Sequence, residues 1–186
     1  MEKYPWKVPE WWAKMSCEEK LDMSQKYLWG TIAGMLKAIK DRYGEEGLRT
    51  IYDAAKESGR ELSKDLIQRL GIPLGKGSAR DIIAVWDLVD EIIFTMKGKR
   101  EIIEESPERI IYRAPECNVA EIIANTCPEV CSVLARAAEQ GEAEAVNPNI
   151  KISGKKWLGH GDNCCEYIIE MKHLPQKNVG YENRFG

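Results

Sequence analysis

Residues 157–172 read WLGHGDNCCEYIIEMK, a glycine-framed turn running into an alternating strand. Gly159 and Gly161 suit positions where the backbone takes positive φ or where another group comes close. From Cys165 onward, Cys165, Tyr167, Ile169 and Met171 share one face, and Cys164, Glu166, Ile168 and Glu170 share the other. The adjacent cysteines therefore point opposite ways. Cys165 is the one expected to share a pocket with residues upstream, and Cys164 the one expected to lie outside it.

Working back from this strand, Asn147-Pro148-Asn149 forms a turn after which residues 150–153 read as a second strand. Ahead of the turn come two helical segments, one opened by Cys117 and carrying Val119, Ile122 and Ile123, the other begun by Cys127-Pro128 and running to about Glu144. Ahead of those, the β-branched runs 100–104 and 109–113 flank Glu105-Ser-Pro-Glu108, which reads as a hairpin.

The first half is helical in pattern. Ser16, with Glu19 three residues on, marks a capping box. Leu21, Met23, Tyr27, Leu28, Ile32, Met35, Leu36 and Ile39 predict a buried stripe as far as Tyr43, and Gly44 a terminator. Gly30 and Gly34 read as points of close helix packing. A second helix is expected over 45–58, buried through Leu48, Ile51, Tyr52 and Ala55, and a third around Leu62, Leu66, Ile67 and Leu70. Residues 71–78 form a loop whose Gly-Lys-Gly-Ser lacks the spacing of a phosphate loop. Helix 79–96 carries apolar residues over more than a narrow stripe, the mark of a central buried helix. Residues 1–15, with Trp6, Trp11 and Trp12, read as an irregular aromatic arm packed on an apolar surface.

The order helices, two strands, helices, two strands predicts an α+β fold, an N-terminal helical bundle packed on a small, mainly antiparallel sheet with a helix pair. The expected division is an arm over 1–15, a helical subdomain over 16–98, an α+β ligand-binding core over 99–173 and a polar tail over 174–186. A chain of 186 residues suits one well-buried unit. With 31% charged residues, a net charge of -3 and no basic stripe, it does not read as a nucleic-acid binder. No apolar run reaches the roughly 18 residues of a membrane span, and the start lacks a leader's apolar stretch, so a cytoplasmic protein is expected. Six cysteines then read as reduced thiols, metal ligands or redox groups, or as small core residues.

Cys127 and Cys131 are one helical turn apart and can converge with Cys117 and with Cys164 or Cys165. Four thiolates, Cys117, Cys127, Cys131 and Cys165, or three with His160, make a chemically reasonable set for zinc or iron. Alternatively, Cys117 or Cys127 at a helix start is a nucleophile, with His160 as base and Asp162 as its orienting carboxylate. The structural readings are a turn histidine, an aspartate bonding its own turn and packed thiols. Glu142 and Glu144 oppose the helix dipole, so either has a partner or a purpose. Glu144 is grouped here with Trp86, Tyr112, Trp157 and Tyr167 as the wall of a small-molecule pocket.

Cys117, Cys127-Pro128-Glu129-Val130-Cys131, Glu144-Ala-Val-Asn-Pro148 and Leu158-Gly-His-Gly-Asp-Asn-Cys-Cys-Glu-Tyr-Ile-Ile169 together resemble the L-2-amino-thiazoline-4-carboxylic acid hydrolase-like family. More distantly, Gly161-Asp162-x-x-Cys165 is similar to the turn and strand closing the four-vinyl-reductase domain. The resemblance implies a ligand-binding fold akin to the nitric-oxide-signalling and Golgi-transport ligand domains, usually dimeric. It also implies opening of a thiazoline ring by water to a carbamoyl-cysteine. Cys117, Cys131, Asp162 and Cys165 match the family's characteristic positions; His160 and Cys164 do not. The leading expectation is a small-molecule hydrolase acting on a small cyclic C–N substrate of the thiazoline-carboxylate type; the alternative is a non-enzymatic sensor domain holding a small ligand, metal or tetrapyrrole.

Overall fold

The computed structural model describes residues 9–93 and 100–172. A short helix α1 (Glu10–Lys14) precedes α2 (Cys17–Arg69), which spans 53 residues. Ser16 caps α2 as its sequence requires: its side chain accepts from the Glu19 N–H at 3.1 Å while Glu19 accepts the Ser16 N–H at 2.7 Å. Gly44 is the one kink, at φ 59° and ψ -140°, a conformation that only glycine adopts without strain. The break expected between the second and third helices does not exist; the helix runs straight through Ser58 and Gly59.

That continuity has a packing reason. Gly59 and Gly141 lie where α2 crosses α5 (Arg136–Val146), and a Cβ on Gly141 would sit 1.9 Å from the Lys56 carbonyl oxygen. Glycine serves here as a point of helix contact rather than a terminator. Gly30 also sits at a close contact, with Ile122, whereas Gly34 faces open space. The α2 stripe is shifted from the expected one. Trp29, Ala33 and Leu36 are buried, while Leu21, Met23, Tyr27, Leu28, Met35 and Leu62 stay exposed. In the arm, Trp11 is exposed and stacks edge-on against Trp12 within α1 rather than covering a surface, and Trp6 lies outside the described residues.

Loop 71–78 docks on the end of α5: the Gly75 and Gly77 N–H groups donate to Ala145 and Val146, and Asn147 donates to the Gly77 carbonyl. Ser78 then caps α3 (Ala79–Ile93), exchanging hydrogen bonds with Asp81. The expected end of this helix at Met96 and the tail from 174 fall outside the described residues.

Strands β1 (Glu101–Glu105), β2 (Arg109–Ala114), β3 (Ile150–Lys156) and β4 (Cys165–Met171) form one antiparallel sheet in the order β1-β2-β4-β3. Between β2 and β3 run α4 (Ala120–Thr126), a π-helical turn (Val130–Ala135) and α5. The sheet's inner face carries Ile110, Tyr112, Ile150, Ile152, Tyr167 and Ile169, packed beneath α3 and α5. A second core joins Trp29, Ala33, Leu36 and Leu48 of α2 to Val119, Ile123, Cys127 and Val130. Among the described residues no helix is long and apolar enough to cross a membrane.

Candidate functional site

Where the two cores meet, the side chains leave a cavity of about 160 Å³. It is small beside the roughly 300–1,000 Å³ of pockets that hold drug-sized ligands. Its walls come from both cores: Trp29, Val119 and Ile123 on one side, Trp86, Tyr112 and Tyr167 on the other, with Trp157 above them. Trp86 and Tyr167 have ring centroids 5.2 Å apart, Trp157 meets Tyr167 edge-on at 5.3 Å, and Tyr112 lies 5.8 Å from Trp86.

Cys117, Cys131 and Cys165 all line this cavity. The alternation of β4 turns Cys165 inward beside Tyr167, the π turn presents Cys131, and Cys117 arrives from the segment after β2. Each thiol faces a backbone N–H: Leu158 donates to Cys165 Sγ at 3.4 Å, Gly159 faces Cys131, and Val119 faces Cys117. Gly159 is required, since a Cβ there would lie 2.5 Å from Cys131 Sγ. Burial pushes the thiols up, Cys131 and Cys165 to about 12, with neighbouring thiols adding to the effect at those two. These groups stay protonated at neutral pH.

The acids are the second feature. Glu139 and Glu142 on α5 and Asp90 on α3 line the cavity, and Glu116 stands exposed at its edge. Burial raises Asp90 to about 6 although Arg100 lies 3.1 Å away. Burial, with Asp90 nearby, raises Glu142 to about 8. Glu139 is held well above the carboxylate range by burial, against the opposing pull of Arg136, and it touches the Tyr167 hydroxyl. One oxygen each of Glu139 and Glu142, the Tyr112 hydroxyl and the Trp86 indole N–H have no hydrogen-bond partner. The indole leans toward Glu142 without closing a bond.

Of the expected pocket residues, Cys117, Cys131, Cys165, Trp86, Tyr112, Trp157 and Tyr167 are brought together. Others are not. His160 is exposed on the 3-10 turn Leu158–His160 and does not line the cavity. Asp162, also exposed, accepts the Trp157 N–H at 2.8 Å and so closes its own turn. Glu144 pairs with Lys56 at 2.7 Å on the α2 side of α5. Cys127 lies in the second core and donates to Glu129, which Lys40 also holds, so it stands apart from the other thiols. Among the described residues no group of three or more His, Cys, Asp or Glu side chains is arranged to hold a metal ion. The expected zinc or iron set therefore has no matching geometry, because Cys127 turns away from the other three sulfurs.

Glu142 stands out in the sequence through its place against the helix dipole, whereas Asp90 and Glu139 were missed. Ala135, Ala138, Glu139 and Glu142 recur at helical spacing, as do Ile83, Trp86 and Asp90. In each case a carboxylate interrupts a stripe of small or apolar residues that must face inward.

A crystal structure of a trafficking protein particle complex subunit 3 from Naegleria fowleri, covalently bound to palmitic acid, is similar at a TM-score of 0.51 and 12% identity, covering 86% of this chain and 99% of that one. At that identity the likeness is one of fold, and it agrees with the expected α+β architecture. No curated protein matches the sequence. The family model described as L-2-amino-thiazoline-4-carboxylic acid hydrolase matches residues 26–169, a span that holds every described residue lining the cavity. The chain belongs to the L-2-amino-thiazoline-4-carboxylic acid hydrolase family.

Proposed function

We propose that the protein hydrolyses a small cyclic isothiourea of the 2-amino-thiazoline kind inside this cavity, with water as nucleophile. The observation that carries the reading is that two buried carboxyls, Asp90 and Glu142, line one cavity, where burial pushes them up to about 6 and about 8. Such separated acids are what paired acid–base chemistry near pH 7 requires. Glu142, protonated when the cavity is empty, gives its proton to the ring nitrogen of the neutral base and makes the amidine carbon electrophilic. Asp90, ionised at neutral pH, takes a proton from water as the water oxygen bonds to that carbon. One ring bond from the carbon to nitrogen or sulfur then breaks. The departing atom receives the proton held by Asp90, the carbon stays on the other ring atom as a carbamoyl group, and Glu142 is reprotonated by the hydroxyl proton released as the C=O forms. The thiols of Cys117, Cys131 and Cys165, held neutral, act as a soft wall against the substrate's sulfur rather than as resting nucleophiles.

Incubation of the protein with 2-amino-thiazolines, followed by mass spectrometry, is expected to show a product heavier by one water, with turnover lowered at least about 100-fold in D90N. Turnover retained in D90N removes Asp90 as the base. The second reading, a non-catalytic ligand-holding domain, draws on the structural neighbour's bound palmitic acid and on the cavity's largely apolar wall. It predicts ligand retention without turnover. The neighbour's place in a multi-subunit particle and the exposed Tyr27, Leu28 and Met35 on α2 support self-association as a homodimer, measurable by sedimentation.

A further inference from the structure

Four polar atoms on side chains lining the cavity have no hydrogen-bond partner among the described residues: the Trp86 indole nitrogen, the Tyr112 hydroxyl, and one oxygen each of Glu139 and Glu142. Trp86 is 4% exposed, Tyr112 2% and Glu142 9%, so bulk solvent does not serve them. Their chemistry leans to one side. An indole N–H can only donate. Burial keeps Glu139 and Glu142 neutral at pH 7, with protons of their own, and keeps the Tyr112 phenol as O–H. Glu142 lies beside the indole without closing a bond, and a neutral carboxyl is a weaker acceptor than a carboxylate. What this wall most lacks is a strong acceptor, and a buried donor left without one is costly.

We infer that the Trp86 indole N–H and the Tyr112 hydroxyl are the seat of a carboxylate on the ligand's ring, so that the substrate's negative charge is received by neutral donors rather than by a cation. This rests on the cavity being the substrate site as proposed above, and it names the residues that set specificity there. The charge of the wall admits an anion. Of Asp90, Glu139 and Glu142, Asp90 is the one ionised at neutral pH, and Arg100 stands 3.1 Å from it.

The order of groups on the ligand agrees. In a 2-amino-thiazoline-4-carboxylate the ring nitrogen is bonded on one side to the amidine carbon and on the other to the carbon that bears the carboxylate. Glu142, which protonates that nitrogen, has Asp90 and the Trp86 indole as its neighbours. Trp86 and Asp90 stand four residues apart on α3, one turn along the same face, and Glu142 comes from α5. A ring with its nitrogen at Glu142 and its amidine carbon toward Asp90 therefore turns its carboxylate toward Trp86. Tyr112 packs its ring 5.8 Å from that of Trp86 and supplies the second donor.

The test measures equilibrium binding of 2-amino-2-thiazoline-4-carboxylate and of 2-amino-2-thiazoline to the full chain, to W86F and to Y112F. The unaltered protein is expected to bind the carboxylate at least about tenfold tighter, and each variant to lower that preference at least about fivefold. The preference is a ratio of two ligands on one protein, so a change of cavity shape that weakens both alike cancels. Should W86F fail to fold, Y112F decides, since it removes one oxygen that bonds no described protein group. Equal or weaker binding of the carboxylate by the unaltered protein overturns the proposal. A preference kept in a folded variant also overturns it, and hands the carboxylate to a cation. A preference that depends on these residues, without turnover, leaves it standing and removes the hydrolase reading. Turnover with no preference for the carboxylate does the reverse.

Discussion

Gln140 on α5 holds the backbone of the edge strand β3 on both sides of one residue. Its amide accepts the Ile152 N–H at 3.1 Å and donates to the Ile150 carbonyl at 3.2 Å. These are the outward-facing groups of an edge strand, satisfied here by a helix side chain instead of another strand. The same bond fixes the rotation of α5 that presents Glu139 and Glu142 to the cavity. Replacing Gln140 with leucine leaves two buried backbone groups unpaired. Q140L should lose about 2 kcal/mol or more of unfolding free energy in urea titration.

Glu142 makes stability fall as pH rises. Its folded pKa of about 8 lies above the roughly 4.3 of an unfolded glutamate, so between those values the native state binds more protons than the unfolded one. Stability is lost across that window, and fully present below it. E142Q abolishes the ionisation. Relative to the unaltered protein, it should flatten the melting-temperature profile between pH 5 and pH 8 and melt several degrees higher at the alkaline end, at roughly 2–4 °C per kcal/mol for a chain of this size.

Much of this architecture was legible in the sequence because its signals were local. The Ser16–Glu19 box, the Glu105-Ser-Pro-Glu108 hairpin turn and the alternation from Cys165 each depend on neighbours a few residues away, and each takes the expected form. The α+β fold followed from their order. The expected helix end at 58 was misplaced because the helix continues through Gly59, where α5 crosses it at Gly141, some eighty positions on. The cavity was half legible. Cys165 and Tyr167 were placed by strand period, but the turn holding His160 and Asp162 faces solvent, a matter of tertiary position that no short pattern encodes.

Gly159 and Cys131 set the distance between the 3-10 turn and the π turn. In G159A the new Cβ would sit 2.5 Å from Cys131 Sγ and 2.9 Å from Ile123 Cγ2, an overpacking expected to cost about 1–3 kcal/mol. The double variant G159A/C131A removes the sulfur and should recover part of the loss. Failure of the second substitution to restore any stability would place the strain elsewhere.

The cavity thiols should be slow to alkylate. Cys17 is exposed, whereas Cys131 and Cys165 are held at about 12 by burial and neighbouring groups. At pH 8, iodoacetamide followed by peptide mass spectrometry should label Cys17 first, with Cys131 and Cys165 at least about 100-fold slower. Comparable rates would mean that the thiols are more open, or more ionised, than their surroundings allow.

The acid–base pairing of Asp90 and Glu142 is tested most directly by the pH dependence of kcat/KM for 2-amino-2-thiazoline in the unaltered protein and in E142Q. The pair predicts a bell with limbs near 6 and near 8, whose alkaline limb disappears in E142Q as the overall rate falls. A profile flat from pH 5 to pH 9, or an alkaline limb that survives in E142Q, would contradict it.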